Sequence, residues 1–409
     1  MSERLSITAL GHEGDGIAET PAGRVYVPFA LPGETVEAEI EGERGRLVEV
    51  VTASPDRIAP SCRHFGICGG CSVQHLAPGA YAAWKEGLVR EAFAQRGIEA
   101  AVDPLVPLAP HTRRRAAFTV LKLAGGTALG FNRRESHEVL AIEECPLLVP
   151  ALERRLPSLA ALAGTLAERG KRARMSVTAT DTGLDVSFDG GRKLGRADHE
   201  ALGRNAEANA IARLTVGGQA IFSSRAPELR EDKVVLYPAA GGFLQAAAPS
   251  EAALVGLVDA AFGGKGPVAD LFCGIGTFSL RLARRAPVLA VEGDGELLTA
   301  LDRSMRFSTG IRTITTRKRD LFLNPMAPPE LKPFKTVVFD PPRAGAKAQA
   351  EMLAKSAVPT VIGVSCNAAT LARDARILID GGYRLTRLTP VDQFLWSGHV
   401  EVVAVFEKG

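Results

Sequence analysis

Two side chains near the C-terminus could perform covalent chemistry. Cys366 follows the apolar run Val361–Val364 and stands between Ser365 and Asn367, so its thiol leaves a buried strand beside polar residues. A thiolate is a strong nucleophile, although a single cysteine is more often structural. Glu401 opens another apolar run, where its carboxylate is either a solvated strand end or a general base. The glycine turn described next favours the interpretation of Cys366 as a nucleophile.

This glycine turn follows a predicted strand and could bind a nucleoside. Gly274 and Gly276 come after Asp270 in a strand–turn–helix pattern, and glycines let a backbone approach a ligand closely. Glu292 ends the next predicted strand, 22 residues after Asp270, where an acid can accept both hydroxyls of a ribose. The third glycine of a dinucleotide site is absent, so we expect a ligand with adenosine but no phosphate, of which S-adenosylmethionine is the common one. A tight turn without a ligand is the alternative.

Three cysteines crowd into ten residues, at positions 62, 68 and 71. No secretion signal is recognisable, so the crowding indicates a metal site rather than disulfides. With the distant Cys145 there are four thiolates, which can hold either tetrahedral zinc or an iron–sulfur cluster. Zinc sites usually contain two close pairs, whereas here the first gap is five residues and Cys145 stands alone. Cys273, inside the glycine turn, is expected to be structural.

The elements that must position these residues alternate in type. From about residue 237, predicted strands at 268–272, 287–292, 336–339 and 360–364 are separated by helical segments or by long connections. This alternation is typical of a doubly wound parallel sheet, whose ligands bind at the carboxyl ends of the strands. Asp340 and Cys366 each follow one of these strands, and we therefore expect both at that edge.

The residues before position 237 show other sequence patterns. Residues 1–55 contain short Val- and Thr-rich runs between glycine turns, which predict a small β-barrel. Within residues 56–236, the segment 81–96 has helical spacing, and residues 108–236 alternate strand-like runs with one helical stretch near 151–169, which predicts an α+β domain. The chain is therefore divided into domains at 1–55, 56–236 and 237–409, the last being an α/β, Rossmann-like domain.

Composition restricts the class of protein. The 409 residues are 46% hydrophobic and 23% charged, as expected for a globular chain with several domains. No uncharged apolar stretch approaches ~18 residues and no leader is recognisable, so we expect a cytoplasmic protein without a membrane partner. The net charge of +3 neither requires nor forbids an anionic partner. The first 50 residues carry ten acids against four arginines, so any nucleic-acid contact there must use a local patch.

Together these residues resemble the RNA uracil-5-methyltransferase family over nearly the whole chain. The resemblance is carried by the spacing of the three clustered cysteines and by segments 130–134, 144–146, 243–245, 270–278, 340–345, 365–367 and 398–401. Residues 1–55 resemble the TRAM domain, an RNA-binding barrel typical of the branch that modifies large-subunit ribosomal RNA. The resemblance implies an enzyme that forms 5-methyluridine from S-adenosylmethionine, with 23S rRNA as the expected substrate and no obligate protein partner. It also implies that residues 73–107 contact the C-terminal domain.

The resemblance assigns roles to individual residues. It implies that Cys366 adds to carbon 6 of uracil, that carbon 5 then takes the methyl group, and that Glu401 removes the proton from carbon 5. It implies a [4Fe–4S] cluster rather than zinc on the four cysteines, with a role in folding or RNA positioning. Asp320 is expected to reach the adenine. The S-adenosylmethionine site is expected to comprise Gln245, Phe272, Thr277, Glu292 and Asp340.

Two basic segments, 113–115 and 133–134, stand near Phe118 and Phe131 and are expected to contact RNA. Other functions stay open. Transfer RNA is an alternative substrate, because only the N-terminal barrel indicates ribosomal RNA. A non-catalytic RNA-binding iron–sulfur scaffold is another, and the presence of both Cys366 and Glu401 argues against it. A methyltransferase acting on protein or cytosine is a third, and segments 340–343 and 398–401 favour uracil.

Overall fold

Three large β-sheets organise the chain in the computed structural model, which describes residues 2–264 and 266–409. The first sheet has the strand order β1-β5-β6-β4-β3-β2 and encloses a small core that includes Val27 and Val36. The barrel-like unit predicted from the sequence is thereby confirmed. Its strands are β1 Ser2–Ser6, β2 Ala9–Leu10, β3 Gly16–Thr20, β4 Gly23–Val27, β5 Thr35–Glu41 and β6 Arg44–Thr52.

The second sheet belongs to the middle of the chain and has the order β13-β12-β11-β10-β7-β8-β9. One face packs on α3, where Leu159, Leu162 and Leu166 lie in one core with Phe118 and Val177. The period of these leucines matches one face of a helix. The elements are α1 Pro78–Ala94, β7 Arg115–Leu123, β8 Gly126–Asn132, β9 Val139–Ala141, α2 Pro150–Glu153, α3 Leu156–Leu166, β10 Arg172–Thr180, β11 Gly183–Asp189, α4 Arg196–Ala208, β12 Ile211–Val216 and β13 Gln219–Ser223.

The expectation of one helical stretch in residues 108–236 was wrong. Besides α2 and α3, this part of the structure contains the 13-residue α4. The sequence predicted α1 from its apolar spacing but contained no signal for α4. Only Leu202 and Ala206 of α4 are buried, so the apolar stripe that predicts a helix is too narrow to recognise there.

The third sheet, β18-β17-β16-β19-β20-β22-β21, is parallel except for β22, which runs antiparallel to both of its neighbours. Helices α9 and α10 cover one face and α5 and α7 the other, which confirms the Rossmann-like prediction. The elements are β14 Leu229–Glu231, β15 Val234–Leu236, α5 Ala248–Phe262, β16 Val268–Leu271, α6 Ser279–Leu282, β17 Val288–Glu292, α7 Gly295–Phe307, β18 Ile314–Lys318, α8 Pro328–Leu331, β19 Thr336–Phe339, α9 Lys347–Ala354, β20 Thr360–Ser365, α10 Ala368–Asp380, β21 Tyr383–Val391 and β22 Glu401–Lys408.

Helix α1 shares a core with the third sheet. Val89 and Phe93 are fully buried in the cluster that contains Leu378 of α10 and Phe406 of β22. The exact boundaries of the three domains stay a prediction. Within the described part of the chain, no helix combines the length and the apolar character that a bilayer crossing requires.

Candidate active site

Strands β20 and β22 bring the predicted nucleophile and base to neighbouring strand ends. Ser365, the last residue of β20, pairs with Val402 of β22. One further step of this antiparallel register sets Cys366 opposite Glu401. Opposed residues of antiparallel strands point to the same face, with Cβ atoms about 5 Å apart. Cys366 is half-buried and Glu401 is 3% exposed, so the pair lies at the border between solvent and the protein interior.

The surroundings of Cys366 act on its acidity in opposite directions. Burial raises the pKa of this thiol to about 11, with further increases from the charges of Glu401 and Asp340, while Arg343 lowers it. Cys366 also precedes the first turn of α10, where the Asn367 side chain accepts hydrogen bonds from two backbone amides of the first turn. The partial positive charge of a helix N-terminus favours a thiolate. The free protein therefore holds Cys366 as a thiol, beside groups that can stabilise its anion.

A chain of hydrogen bonds joins Glu401 to Asp340. Gln393 Nε2 donates to Glu401 Oε1 at 2.9 Å and to Gln245 Oε1 at 2.7 Å. Gln245 Nε2 in turn donates to Asp340 Oδ2 at 3.3 Å. The other carboxylate oxygen of Glu401 is buried without a hydrogen-bond partner among the described residues. The free oxygen leaves Glu401 able to accept a proton from a bound molecule.

Buried carboxyl groups surround the carboxyl ends of the central strands. Burial raises the pKa of Asp340 to about 7, and burial likewise raises that of Asp270 to about 7. The pKa of Glu401 lies well above its usual value because of burial and the charge of Asp340. Grouped carboxyls of this kind are stabilised in their charged form by a nearby cation. The site therefore suits a positively charged ligand.

The glycine turn has the tight backbone expected of a ligand-binding loop. Gly276 has φ +89°, and a Cβ there would overlap Leu301 Cδ1, so only glycine fits. Phe272 adopts φ +58°, which is strained for an aromatic residue and typical of functional sites. Its ring lies 5.3 Å from that of Phe322. Thr277 is buried within the same turn.

Glu292 binds the turn through its side chain. Its Oε2 accepts a hydrogen bond from Gly274 N at 3.0 Å, and its Oε1 accepts from two amides of the following turn. Each carboxylate oxygen can accept a second hydrogen bond, so a ribose hydroxyl could add to this set. Asp320 instead uses one oxygen to cap its own turn, accepting from the amides of Phe322 and Leu323.

A cavity of about 1130 Å³ connects Cys366 to the four clustered cysteines. All four thiols line it, and their charges act on one another: the pKa of Cys71 is raised to about 12 by burial and by Cys145, Cys68 and Cys62. Among the described residues, no three His, Cys, Asp or Glu side chains form a group compact enough for a metal ion. The structure thus gathers the four cysteines around one space without showing a single-ion site.

The expected RNA role of the two basic segments is wrong for two of their arginines. Arg114 is 9% exposed and donates to Glu251 at 2.6 Å. This ion pair connects the residue before β7 to helix α5. Arg134 pairs with Asp15 at 2.5 Å and so ties the central sheet to the N-terminal unit. Both guanidinium groups are engaged within the protein and are not free for phosphate.

The sequence analysis assigned no role to Lys85, Asp392 or Gln393, which the structure brings to the site. Lys85 is fully buried, and its Nζ lies 2.6 Å from Asp392 Oδ1 and 2.6 Å from the His399 carbonyl oxygen. One signal was available: Asp392 and Gln393 are polar residues directly after the buried end of a strand. No local pattern could have connected Lys85 to them, because 307 residues separate it from Asp392.

Family models and relatives agree with this geometry. A model described as TRAM domain matches residues 3–44, and one described as tRNA (Uracil-5-)-methyltransferase matches residues 318–409. A protein of Brucella suis named as an uncharacterized RNA methyltransferase is 46% identical over 99% of this chain and 98% of its own length. The 23S rRNA (uracil(1939)-C(5))-methyltransferase RlmD of Shewanella amazonensis is 34% identical over 98% of this chain and 95% of its own length.

A solved structure has the same fold. The tRNA (uracil-54, C5)-methyltransferase of Pyrococcus abyssi, in complex with S-adenosyl-L-homocysteine, superposes with a TM-score of 0.77 and 22% identity, covering 99% of this chain and 100% of that one. The sequence relatives are similar to this protein almost from end to end. The chain belongs to the RNA uracil-5-methyltransferase family.

Proposed function

We propose that this protein methylates carbon 5 of a uridine in RNA, with 23S rRNA as its substrate and S-adenosylmethionine as the methyl donor. The observation that carries the proposal is the strand register that ends with Ser365 opposite Val402 and so brings Cys366 and Glu401 to neighbouring strand ends, with Cys366 lining a cavity open to solvent. A nucleophile and a proton acceptor side by side are what carbon-5 chemistry requires of the protein. Phe272, Thr277, Glu292, Gln245 and Asp340 would hold the donor on the other side.

The proposed reaction begins at the Cys366 sulfur. The thiolate forms a bond to carbon 6 of uracil, and the electrons of the carbon 5–carbon 6 double bond move toward the oxygen on carbon 4. Carbon 5 would then bond to the donor's methyl group as the bond from that methyl to the sulfonium sulfur breaks, and the donor would leave as a neutral thioether. Glu401 accepts the proton from carbon 5, the double bond re-forms, and the sulfur leaves carbon 6 as a thiolate. The free Glu401 Oε2 supports this assignment, because among the described residues it has no other partner.

Binding of a ligand must lower the pKa of the Cys366 thiol before this residue can react as a thiolate. Burial and two carboxylates keep this thiol protonated in the free protein, with its pKa raised to about 11. A cation beside Asp340 and Glu401 would neutralise the charges that oppose the thiolate. We therefore infer that the methyl donor, which carries a positive sulfonium, binds before or together with the RNA. A thiol that stays protonated until then is protected from oxidation.

Ribosomal RNA is favoured over transfer RNA by one observation: the relative from Shewanella that is 34% identical is named for 23S rRNA. The TRAM match at residues 3–44 does not distinguish the two substrates, because the structural match to the Pyrococcus tRNA enzyme covers 99% of this chain and so includes this region. The transfer-RNA alternative rests on the name of the family model at residues 318–409 and on the Pyrococcus enzyme, which is only 22% identical. The two substrates are distinguished by the experiment that follows.

RNA containing 5-fluorouridine should form a covalent adduct with the protein. Fluorine at carbon 5 cannot be removed as a proton, so the reaction stops after Cys366 has bonded and the methyl group has moved. The purified protein, S-adenosylmethionine and fluorinated 23S rRNA fragments or transfer RNA are incubated, and denaturing gels and peptide mass spectrometry locate the adduct. We expect it on Cys366 and with the ribosomal fragments. Absence of any adduct would contradict the proposed function, and an adduct with transfer RNA alone would contradict the substrate.

We also propose that Cys62, Cys68, Cys71 and Cys145 hold a [4Fe–4S] cluster. All four thiols line one cavity. A single tetrahedral ion needs sulfurs within about 4 Å of one another, since Zn–S bonds are ~2.3 Å. No such compact group occurs among the described residues. The proposal of a cluster therefore rests on the shared cavity and on the spacing of the four cysteines in the sequence. Gly69 also lies close against the end of β8: its amide donates to the Asn132 carbonyl oxygen at 3.0 Å, and a Cβ at this position would lie 3.2 Å from the same oxygen.

Metal analysis tests this cluster. Protein purified without oxygen is expected to contain iron and acid-labile sulfide in equal amounts, and a Cys145→Ser variant is expected to lose most of both. Chelation should loosen the loop around Cys71, because the amides of Ser72 and Val73 donate to the Trp396 carbonyl oxygen and Trp396 fluorescence would respond. Stoichiometric zinc, or no bound metal at all, would contradict the proposal.

A further inference from the structure

We infer that Gln393 is a positioning residue that orients the Glu401 carboxylate for proton removal and ties it to Gln245 on the side of the methyl donor. The inference rests on the proposed function. It concerns a different step from the covalent bond at Cys366, so the two can fail separately. Gln393 does not touch the reacting atoms itself and acts through the two side chains that it binds.

The hydrogen bonds of Gln393 use its whole amide group. Its Nε2 has two hydrogens, and the two acceptors are Glu401 Oε1 at 2.9 Å and Gln245 Oε1 at 2.7 Å. Its Oε1 lies 3.0 Å from Ser250 Oγ. The reverse orientation would set the amide oxygen against a carboxylate, which can only accept when ionised. The orientation of Gln393 is therefore fixed by its partners.

The backbone of Gln393 is fixed by a buried ion pair. The preceding residue, Asp392, accepts hydrogen bonds from Lys85 Nζ at 2.6 Å and Tyr81 Oη at 2.8 Å. Both donors come from helix α1. Asp392 and Gln393 are 1% and 3% exposed, so neither side chain can exchange its protein hydrogen bonds for bonds to solvent water. Helix α1 thereby fixes Asp392 and, through the backbone, the neighbouring Gln393, which binds the base Glu401.

The hydrogen bond from Gln393 determines which oxygen of the Glu401 carboxylate is free to accept a proton. With Oε1 bound to Gln393, Oε2 is the oxygen left to accept a proton. The groups that act on the Glu401 charge are Asp340, directly after β19, which opposes it, and Gln393, whose hydrogen bond favours it. Cys366 lies directly after β20, at the neighbouring strand end. Loss of the bond should thus both misdirect the base and raise its pKa further. Proton removal would slow while carbon–sulfur bond formation would not.

The test uses the full-length protein with unmodified uridine RNA and S-adenosylmethionine. In a Gln393→Met variant, methylation should fall by about 100-fold, the loss typical of a misplaced catalytic group. The covalent RNA adduct should accumulate on denaturing gels, because the methyl group has moved and the proton has not. The pH at which adduct decay is half-maximal should also rise, since an ionised base with a higher pKa needs a higher pH. A Glu401→Gln protein provides the reference for a decay step that is blocked.

Two further variants separate positioning from general damage. Gln349 is also fully buried, and its side-chain hydrogen bonds among the described residues go to the Met326 backbone and not to Glu401, so Gln349→Met should cause similar destabilisation with neither adduct nor pH shift. Gln393→Glu keeps the side-chain size and, when ionised, cannot donate, so it should shift the pH further than Gln393→Met. Unchanged adduct decay and pH dependence in both Gln393 variants would overturn the inference. A wild-type protein that forms no adduct with fluorinated RNA would overturn the proposed function as well.

Discussion

Replacing Cys366 by alanine is expected to reduce RNA methylation by about 10⁴-fold or more, the loss seen when a covalent nucleophile is removed. The residue opposite it, Glu401, can take a proton but cannot add reversibly to carbon 6 in its place. Without the carbon–sulfur bond, carbon 5 is not electron-rich enough to take the methyl group. The measurement is transfer of labelled methyl groups to RNA under single-turnover conditions, where binding and product release do not limit the rate.

A Cys366→Ser protein serves as the structural control. Serine is similar in size to cysteine, but its hydroxyl ionises far less readily and should leave the rate almost as low as in the alanine variant. Both variants should melt close to the wild-type temperature, because Cys366 is only half-buried and lies after the end of β20. If Cys366→Ala still methylated RNA within tenfold of the wild-type rate, the covalent route would be wrong.

Lys85→Met is expected to destabilise the protein by about 3–5 kcal/mol, the effect of removing one partner from a buried ion pair. Burial lowers the pKa of Lys85, and the Asp392 carboxylate opposes that shift. Without the ammonium group, Asp392 keeps only the Tyr81 hydroxyl as a side-chain donor among the described residues, while the Phe394 and His399 carbonyl oxygens lose theirs. Unfolding by urea reports the loss as a lower midpoint.

Tryptophan fluorescence observes this junction directly. The chain has two tryptophans, and both lie here: Trp84 Nε1 donates to Gly11 O, and Trp396 N donates to Tyr81 Oη. The exposed pair Arg376–Asp380 is the matched control, for which Arg376→Met should change stability by less than about 0.5 kcal/mol. A Lys85→Met/Asp392→Leu double variant should recover part of the loss, because no buried charge is left unpaired. A Lys85→Met midpoint equal to the wild type would refute this role of the ion pair.

The sequence predicts the fold correctly where a local residue pattern is typical of one kind of element. The strand–turn–helix around Gly274 and Gly276 and the apolar runs before Asp340 and Cys366 follow from local periodicity, and the third sheet has the form expected from them. The juxtaposition of Cys366 and Glu401 is also traceable, because both stand at ends of apolar strands. The antiparallel insertion of β22 between β20 and β21 is what brings them together, and no local pattern specifies it.

The sequence does not predict the burial of a charged residue whose ion-pair partner lies far away along the chain. Arg114 looks like a nucleic-acid contact because its neighbours are arginines, yet Glu251, 137 residues further on, neutralises it in the interior. Lys85 looks like one more solvated lysine of a helix, and Asp392 makes it a core residue. Charged residues are rarely buried unless paired, so a sequence alone assigns them to the surface by default. Such pairs depend on the arrangement of whole domains.

Residues 392–400 are held by several parts of the protein at once. The Trp396 carbonyl oxygen binds the loop after Cys71, Lys85 binds Asp392, and Gly398 lies so close to His12 that a Cβ there would overlap its carbonyl oxygen. On the ribosome this segment is made after all three of its neighbours. The barrel, the cysteine loop and helix α1 are therefore synthesised before the segment that joins them, and a nascent chain can position its base only after this segment and β22 have been made.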